Sequence, residues 1–377
     1  MKKNAKGTGL VSDERYFWLE LGSFLPLGRY DQPYPAMDSP DGKRRILNLI
    51  RASGIEKQLT PIEPRLASEE ELLRFHTRDY LELVKKISAT TGGSVGEATA
   101  ICTGGYDIAR LAAGGCMAAF DAVLTGDVEN AFALVRPCGH HAEKNRARGF
   151  AVFGNLVVAI KDAKERHGLG RVAVIDWDVH HGNGTQWGFY DDPSVLTISI
   201  HQNGLYPMDS GFLDENGEGP GEGYNINVPL PAGSGHGAYM EAMATVVAPA
   251  LQAFRPELIA VACGFDACAF DQLGRMLCHS DTYRDMTALI KGEAQALCDG
   301  RLVLCLEGGY APVYMPYCGL ATLESLAGLR TEVTDGKLKR LQSMPGQELL
   351  PAQAEVIKMA AQMVTKIDSG NGLRDGS

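Results

Sequence analysis

Short unbroken apolar runs alternate along this chain with longer stretches in which apolar residues recur every three or four positions. Ile46, Leu47, Leu49 and Ile50 predict a helix over 43–53. Ser68 followed by Glu71 is a capping-box pattern that opens another. Tyr80, Leu81, Leu83 and Val84 predict a helix over 79–86, and an Ala/Gly-rich helix is expected over 106–124. Continuous runs at 131–135, 172–175, 195–200, 258–262 and 302–306 then read as buried strands. Helical stretches at 156–166, 238–254 and 282–297 fall among them. That alternation predicts βαβ units and an α/β fold with a mostly parallel sheet covered on both faces.

No stretch of linker composition interrupts residues 40–330, and no repeat is visible. The expected organisation is an irregular N-terminal segment over 1–40 packed on the body, one catalytic domain over 41–367 ending in a helix at 347–367, and a flexible tail over 368–377. Methionines and aromatics in the N-terminal segment leave room for a homo-oligomer interface.

Composition narrows the partners. The chain has 377 residues, 45% of them hydrophobic, so its core needs neither disulfide nor metal merely to fold. Lys plus Arg is 36 and Asp plus Glu is 46, a net charge of −10. An acidic chain gains little from releasing phosphate counterions, which argues against nucleic acid as the main ligand. No run of about 18 apolar residues predicts a membrane span, and the N-terminus lacks the apolar stretch of a secretory signal. Nine cysteines without a Cys-x-x-Cys pair read as buried thiols in a cytoplasmic protein.

Four of the strands are followed by polar, glycine-containing segments: Arg136–His141, Asp176–Gly184, Gly264–Asp266 and Glu307–Tyr310. Ligands of open parallel sheets bind beyond the carboxyl ends of the strands. If extended, Asp176–Gly184 places Asp176, Asp178 and His180 on one side and Trp177 and Val179 on the other. Asp178 and His180 alone fit a hydrogen bond across a loop as well as a metal. Asp266, a carboxylate at the end of a separate strand, tips the reading toward a cation. Two carboxylates and one imidazole form a catalytic rather than a structural zinc pattern, although ligand type also admits iron(II), cobalt or manganese. Gly182 stands where a second metal would want a carboxylate, which argues for one metal.

His140 and His141 suit proton transfer near neutrality, provided that a turn at Gly139 brings both rings to one ligand. Asp176 can fix the tautomer of one ring. Tyr310, after two glycines, can donate to a developing oxyanion. Cys138 as a nucleophile is disfavoured, because an activated water makes it redundant.

Together these four segments resemble the zinc-dependent histone deacetylase family, and most of all its class II branch of bacterial histone-deacetylase-like amidohydrolases and acetylpolyamine amidohydrolases. The likeness runs over residues 40–330 and includes Arg65–Leu72 and His76–Tyr80. It implies an arginase/deacetylase three-layer fold with a central sheet of about eight strands. It implies zinc on Asp178, His180 and Asp266, a proton-transfer pair His140 and His141 with Asp176 behind His140, and Tyr310 on the acyl oxygen. Asn183 would orient His141. The channel would be lined by Gly149, Phe150, Tyr206, Leu273 and Gly308. Potassium would be held by Asp176, Asp178, His180, Ser199 and Ile200, and a second monovalent cation by backbone oxygens near Phe189, Asp192, Val195 and Tyr224.

Some positions depart from the family. Cys138 replaces a proline and Tyr206 a phenylalanine. Asn183 stands where class I members have Asp, so His141 should be less basic. Ile101 stands where some members use an acid to hold the substrate backbone. Leu273 is apolar where polyamine-preferring members are expected to carry an acid, which favours acyl-lysine or another neutral acyl-amide. The expected activity is hydrolysis of acetyl or related short acyl groups from such amines. The alternatives are an acetylpolyamine amidohydrolase, a two-metal ureohydrolase, or a non-enzymatic acyl-lysine sensor.

Overall fold

The computed structural model describes residues 7–21, 28–29, 32–33 and 37–367; the tail expected over 368–377 lies outside the described residues. Among the described residues, eleven strands follow in chain order: β1 (Thr8–Val11), β2 (Thr60–Ile62), β3 (Gly93–Glu97), β4 (Thr99–Ile101), β5 (Asn130–Ala133), β6 (Ala147–Arg148), β7 (Val172–Asp176), β8 (Val195–Gln202), β9 (Asn225–Leu230), β10 (Leu258–Cys263) and β11 (Leu302–Leu306). The helices are α1 (Asp41–Ala52), α2 (Glu69–Leu72), α3 (Arg78–Ser88), α4 (Gly105–Leu124), α5 (Asn155–His167), α6 (Asn183–Phe189), α7 (His236–Ala242), α8 (Ala248–Phe254), α9 (Ser280–Cys298), α10 (Met315–Ala327), α11 (Leu338–Gln342) and α12 (Pro351–Val364).

The central sheet has eight strands in the order β2-β1-β5-β11-β10-β7-β8-β9, every pair parallel. A parallel sheet must be covered on both faces, and its inner strands β5, β7, β10 and β11 are buried along their whole length, as their unbroken apolar runs require. Helices α2–α6 pack together as one group, with α4 against β1, β5 and β11. Helices α1, α9 and α10 pack with α7, α8 and α12 as the other, with α9 against β10. Strands β3, β4 and β6 form a small separate sheet.

Most predicted elements are present within a few residues, and Ser68 and Glu71 form the expected capping box. Three readings need correction. The N-terminal segment, read as irregular, supplies β1, the second strand from one edge of the main sheet and too short for its period to show. The helix expected over 238–254 is broken by a π-helical turn at Met243–Val247. Pro249 lacks an N–H and its ring crowds the preceding turn, so the wider turn relieves an α-helix that proline would break. The last helix begins at Pro351 rather than 347, because Gln347 spends its side chain on the backbone of His236 and Leu277. Strand β9 escaped notice because Pro229 and two asparagines disguise it; as the edge strand it tolerates the missing N–H.

Candidate active site

The four polar segments leave β5, β11, β10 and β7, which are the four contiguous strands at the centre of the sheet. Each adds its residues at the carboxyl end, so the side chains converge in one crevice. Asp178, His180 and Asp266 are buried, and one donor atom from each lies within 4.8 Å of the others. His180 Nδ1 is 3.0 Å from Asp178 Oδ1 and 3.2 Å from Asp266 Oδ2. Trp177 and Val179 are fully buried on the other side, as the alternation requires.

Backbone donors hold both carboxylates: Gly308 N to Asp178 Oδ2 at 2.7 Å and Val179 N to Asp266 Oδ1 at 2.8 Å. Burial, with Asp178 adding to it, pushes Asp266 up to about 7. Burial lowers and both carboxylates raise the His180 ring, which is held up at about 10. Two buried acids around one imidazole are the donor set of a divalent cation. Glycines keep the space beside them open: a Cβ at Gly264 would strike Asp178, and one at Gly308 would strike Asp266. The residues therefore fit a metal. A Cβ at Gly182 would collide with Asp176, so no side chain there can supply a second set.

His140 and His141 occupy the centre of a turn closed by Ala142 N to Gly139 O at 3.1 Å. Their ring centroids are 3.9 Å apart. The turn does not need left-handed backbone at Gly139; glycine is required because a Cβ would sit 2.6 Å from Asn155 N. The two rings have different partners. His140 Nδ1 meets Asp176 Oδ2 at 2.9 Å, and His141 Nδ1 meets Asn183 Oδ1 at 2.8 Å. Asn183 Nδ2 donates to Glu143 and to the His141 carbonyl, so its oxygen faces the ring and His141 carries its proton on Nδ1. Burial opposes both imidazolium ions. Asp178 and Asp176 overcome this at His140 and hold it well above the ordinary histidine value, whereas burial and the neighbouring rings hold His141 well below it.

A cavity of about 240 Å³ opens above the triad, lined by Ala98, His141, Gly149, Phe150, His180, Leu205, Tyr206, Leu273 and Tyr310. Of the expected channel residues, Gly308 stands apart from this lining and lies against the two carboxylates. Tyr310 is buried and its ring is 6.3 Å from that of His180. Ile101 is buried in the core, and the nearest acid of its hairpin to the cavity is Glu97. Cys138 is buried against the Gly149 carbonyl, and burial pushes its thiol up, the reverse of an activated nucleophile.

Residues 37–326 match the model of the histone deacetylase domain. The chain belongs to the histone deacetylase family. It is 48% identical over 334 residues to the histone deacetylase-like amidohydrolase of Pseudomonas aeruginosa, covering 87% of this chain and 88% of that one. It is 38% identical to a probable deacetylase of Archaeoglobus fulgidus, over 85% of this chain and 86% of the other. The polyamine deacetylase HDAC10 of Homo sapiens is 36% identical over 83% of this chain, which spans 48% of that protein. The crystal structure of the HDA15 HD domain superposes with a TM-score of 0.80 at 31% identity, covering 95% of this chain and 96% of that chain. The architecture is the arginase/deacetylase fold.

The residues suggested for cations fall along or beside β8 and in the turn that precedes it. Asp176 and Ser199 are register partners across β7 and β8, with Ile200 next in line. Phe189, Asp192 and Val195 share the turn between α6 and β8, and Tyr224 O accepts from Thr197 N at 2.9 Å. All nine cysteines are free and buried. Among the described residues, no helix is long and apolar enough to cross a membrane.

Several contacts that build this deacetylase site carry no signal in the sequence, even where the residue itself, as Glu307 or Arg136, stands in one of the four segments. Glu307 accepts the backbone of Gly139 and His140. Asp271 accepts Tyr310 N at 2.7 Å. Lys43 donates to the Gly309 carbonyl at 3.1 Å, lies 4.8 Å from the Tyr310 ring centroid, and shares Asp38 with Arg136. Apart from Lys43–Asp38, each partnership spans distant parts of the chain, so only the motif-bearing residues could be found beforehand.

Proposed function

We propose that this protein is a single-zinc amidohydrolase that removes acetyl or related short acyl groups from amines, with the acylated lysine side chain as its preferred substrate class. One observation carries the reading. His180, one of three metal donors that lie within 4.8 Å of one another, lines an apolar cavity whose walls also present His141 and Tyr310. Asp178, His180 and Asp266 would hold the zinc, which when bound supplies a Lewis acid for the acyl oxygen and acidifies water.

The protein's own groups do the rest. His141, neutral and protonated on Nδ1 toward Asn183, has Nε2 free to take a proton from water. His140, gripped by Asp176, supports it and stabilises charge that builds on the pair. The protonated histidine then gives its proton to the departing amine. The Tyr310 hydroxyl donates to the oxyanion of the tetrahedral intermediate. Phe150 and Tyr206 flank the acyl arm, and Leu273 shields it with apolar surface.

We further propose a monovalent cation, potassium, beside Asp176 and Ser199, and residues 41–367 acting as one catalytic unit. The free thiols suit a reducing compartment such as the cytoplasm. A second reading, polyamine deacetylation, is favoured by the name of one relative. Both readings are tested by measuring kcat/KM on acetyl-lysine peptides and acetylated polyamines, with metal-stripped and zinc-reloaded protein. Absence of zinc-dependent turnover on every substrate would overturn the proposal.

A further inference from the structure

We infer that Arg148 sets the charge of the channel mouth and so decides between neutral acyl-amides and polycationic acylamines, an inference that rests on the deacetylase reading above. Strands β3 and β6 pair in parallel with Glu97 opposite Arg148. The next residue on each strand, Ala98 and Gly149, turns into left-handed backbone at φ 51°, and both line the cavity. Glu97 and Arg148 therefore sit one residue outside the wall. Neither lines the cavity itself, although Arg148 shares Glu143 Oε1 with Asn183, the partner of His141, which is why the test reads a ratio of substrates rather than a rate.

Arg148 is an unusual residue for such a place, because its side chain is only 5% exposed. Its guanidinium reaches Glu143 at 2.9 Å, Asp209 at 3.0 Å and Glu97 at 3.1 Å. Its carbon is 5.7 Å from the centroid of the Tyr206 ring, another wall of the cavity. These three carboxylates come from three segments: the β3–β4 hairpin, the loop after His141, and the loop after Tyr206. Arg146 makes its ion pair with Glu143, at 2.7 Å, and acts on Asp209 and Glu97 from a greater distance. Glu97 and Asp209 are 48% and 62% exposed, so their charges are open to solvent. Asp271, also close to the mouth, is engaged by the backbone of Leu273 and Tyr310.

The planar fork of arginine satisfies several carboxylates at once and stays charged at any working pH. With Arg148 present, the two arginines offset all but one of the three acid charges and a polycation gains little at the mouth. Without it, Glu97 and Asp209 have no cation in direct contact among the described residues, and a positively charged substrate is drawn in. The attraction at a half-exposed rim amounts to about three- to tenfold in kcat/KM and weakens with salt.

The test compares zinc-loaded wild type with Arg148→Met on an acetyl-lysine peptide with neutral flanks and on acetylspermidine, each at low and high salt. The expected result is a rise of about three- to tenfold in the acetylspermidine-to-peptide ratio of kcat/KM, shrinking at high salt. Adding Glu97→Gln and Asp209→Asn to Arg148→Met should return the ratio toward wild type. A ratio that does not move, or moves without salt dependence, overturns the inference. Should Arg148→Met fail to fold, the Glu97→Gln/Asp209→Asn pair in wild type leaves Arg148 in excess and should lower the ratio; no change overturns the inference equally. Wild type inactive on both substrates overturns the deacetylase reading and this inference with it, whereas an active wild type with an unmoved ratio overturns this inference alone.

Discussion

The carboxylate of Glu307, at the end of β11, accepts the backbone N–H groups of Gly139 at 2.6 Å and His140 at 3.0 Å. A buried acid from one strand thus fixes the turn that aims both histidines from another. Glu307→Ala should lower kcat about 10- to 100-fold while changing KM little, since the turn positions proton-transfer groups rather than substrate. It should also cost about 1–3 kcal/mol for each buried donor left unpaired. Steady-state kinetics and denaturant melts check both, and Glu307→Gln should recover part of each loss.

His141→Ala and Tyr310→Phe should each reduce kcat by about 100- to 1,000-fold with the fold intact, the usual consequence of losing a proton-transfer group or an oxyanion donor. Circular dichroism alongside turnover separates chemistry from unfolding. A Tyr310→Phe enzyme with full activity would remove the oxyanion role.

Asn183→Asp places a carboxylate at the Nδ1 side of His141, 2.8 Å away in the present geometry. A negative partner favours the imidazolium, so the His141 pKa rises. A base must be unprotonated, so the acid limb of the kcat/KM profile should move to higher pH. A pH–rate profile that does not shift would exclude His141 as the base.

Asp178→Ala should abolish metal binding, because it removes one of three donors. Elemental analysis should then find about one zinc per chain in wild type and almost none in the variant. Asp178 also accepts the backbone N–H groups of Gly308 and His180, so some loss of stability is expected as well.

His76 supplies a pH test away from the metal. Burial holds its ring down at about 3, and its Nε2 accepts Gly154 N at 2.9 Å, which requires the neutral form. In the unfolded chain it titrates near 6.5. Below that value the unfolded state binds a proton that the folded state refuses, so stability is complete above about pH 6.5 and falls as the pH drops toward 3. Between pH 7 and 5 the loss from this group is about 2 kcal/mol. Denaturant melts of wild type and His76→Gln should differ in pH dependence by that amount.

The sequence alone determined the class of fold and the chemical groups. Continuous apolar runs can be buried only in strands covered on both faces, so the parallel sheet was legible, and so were the motifs at the ends of its strands. Period-two alternation even separated Asp178 and His180 from Trp177 and Val179. What local pattern cannot encode is which strands become neighbours. The placement of β5, β11, β10 and β7 side by side, the strand hidden at Thr8–Val11, the grip of Glu307 on the histidine turn and the meeting of Arg148 with three carboxylates all depend on contacts between residues far apart in the chain. Those contacts form only when the whole sheet closes and burial forces each polar group to find a partner.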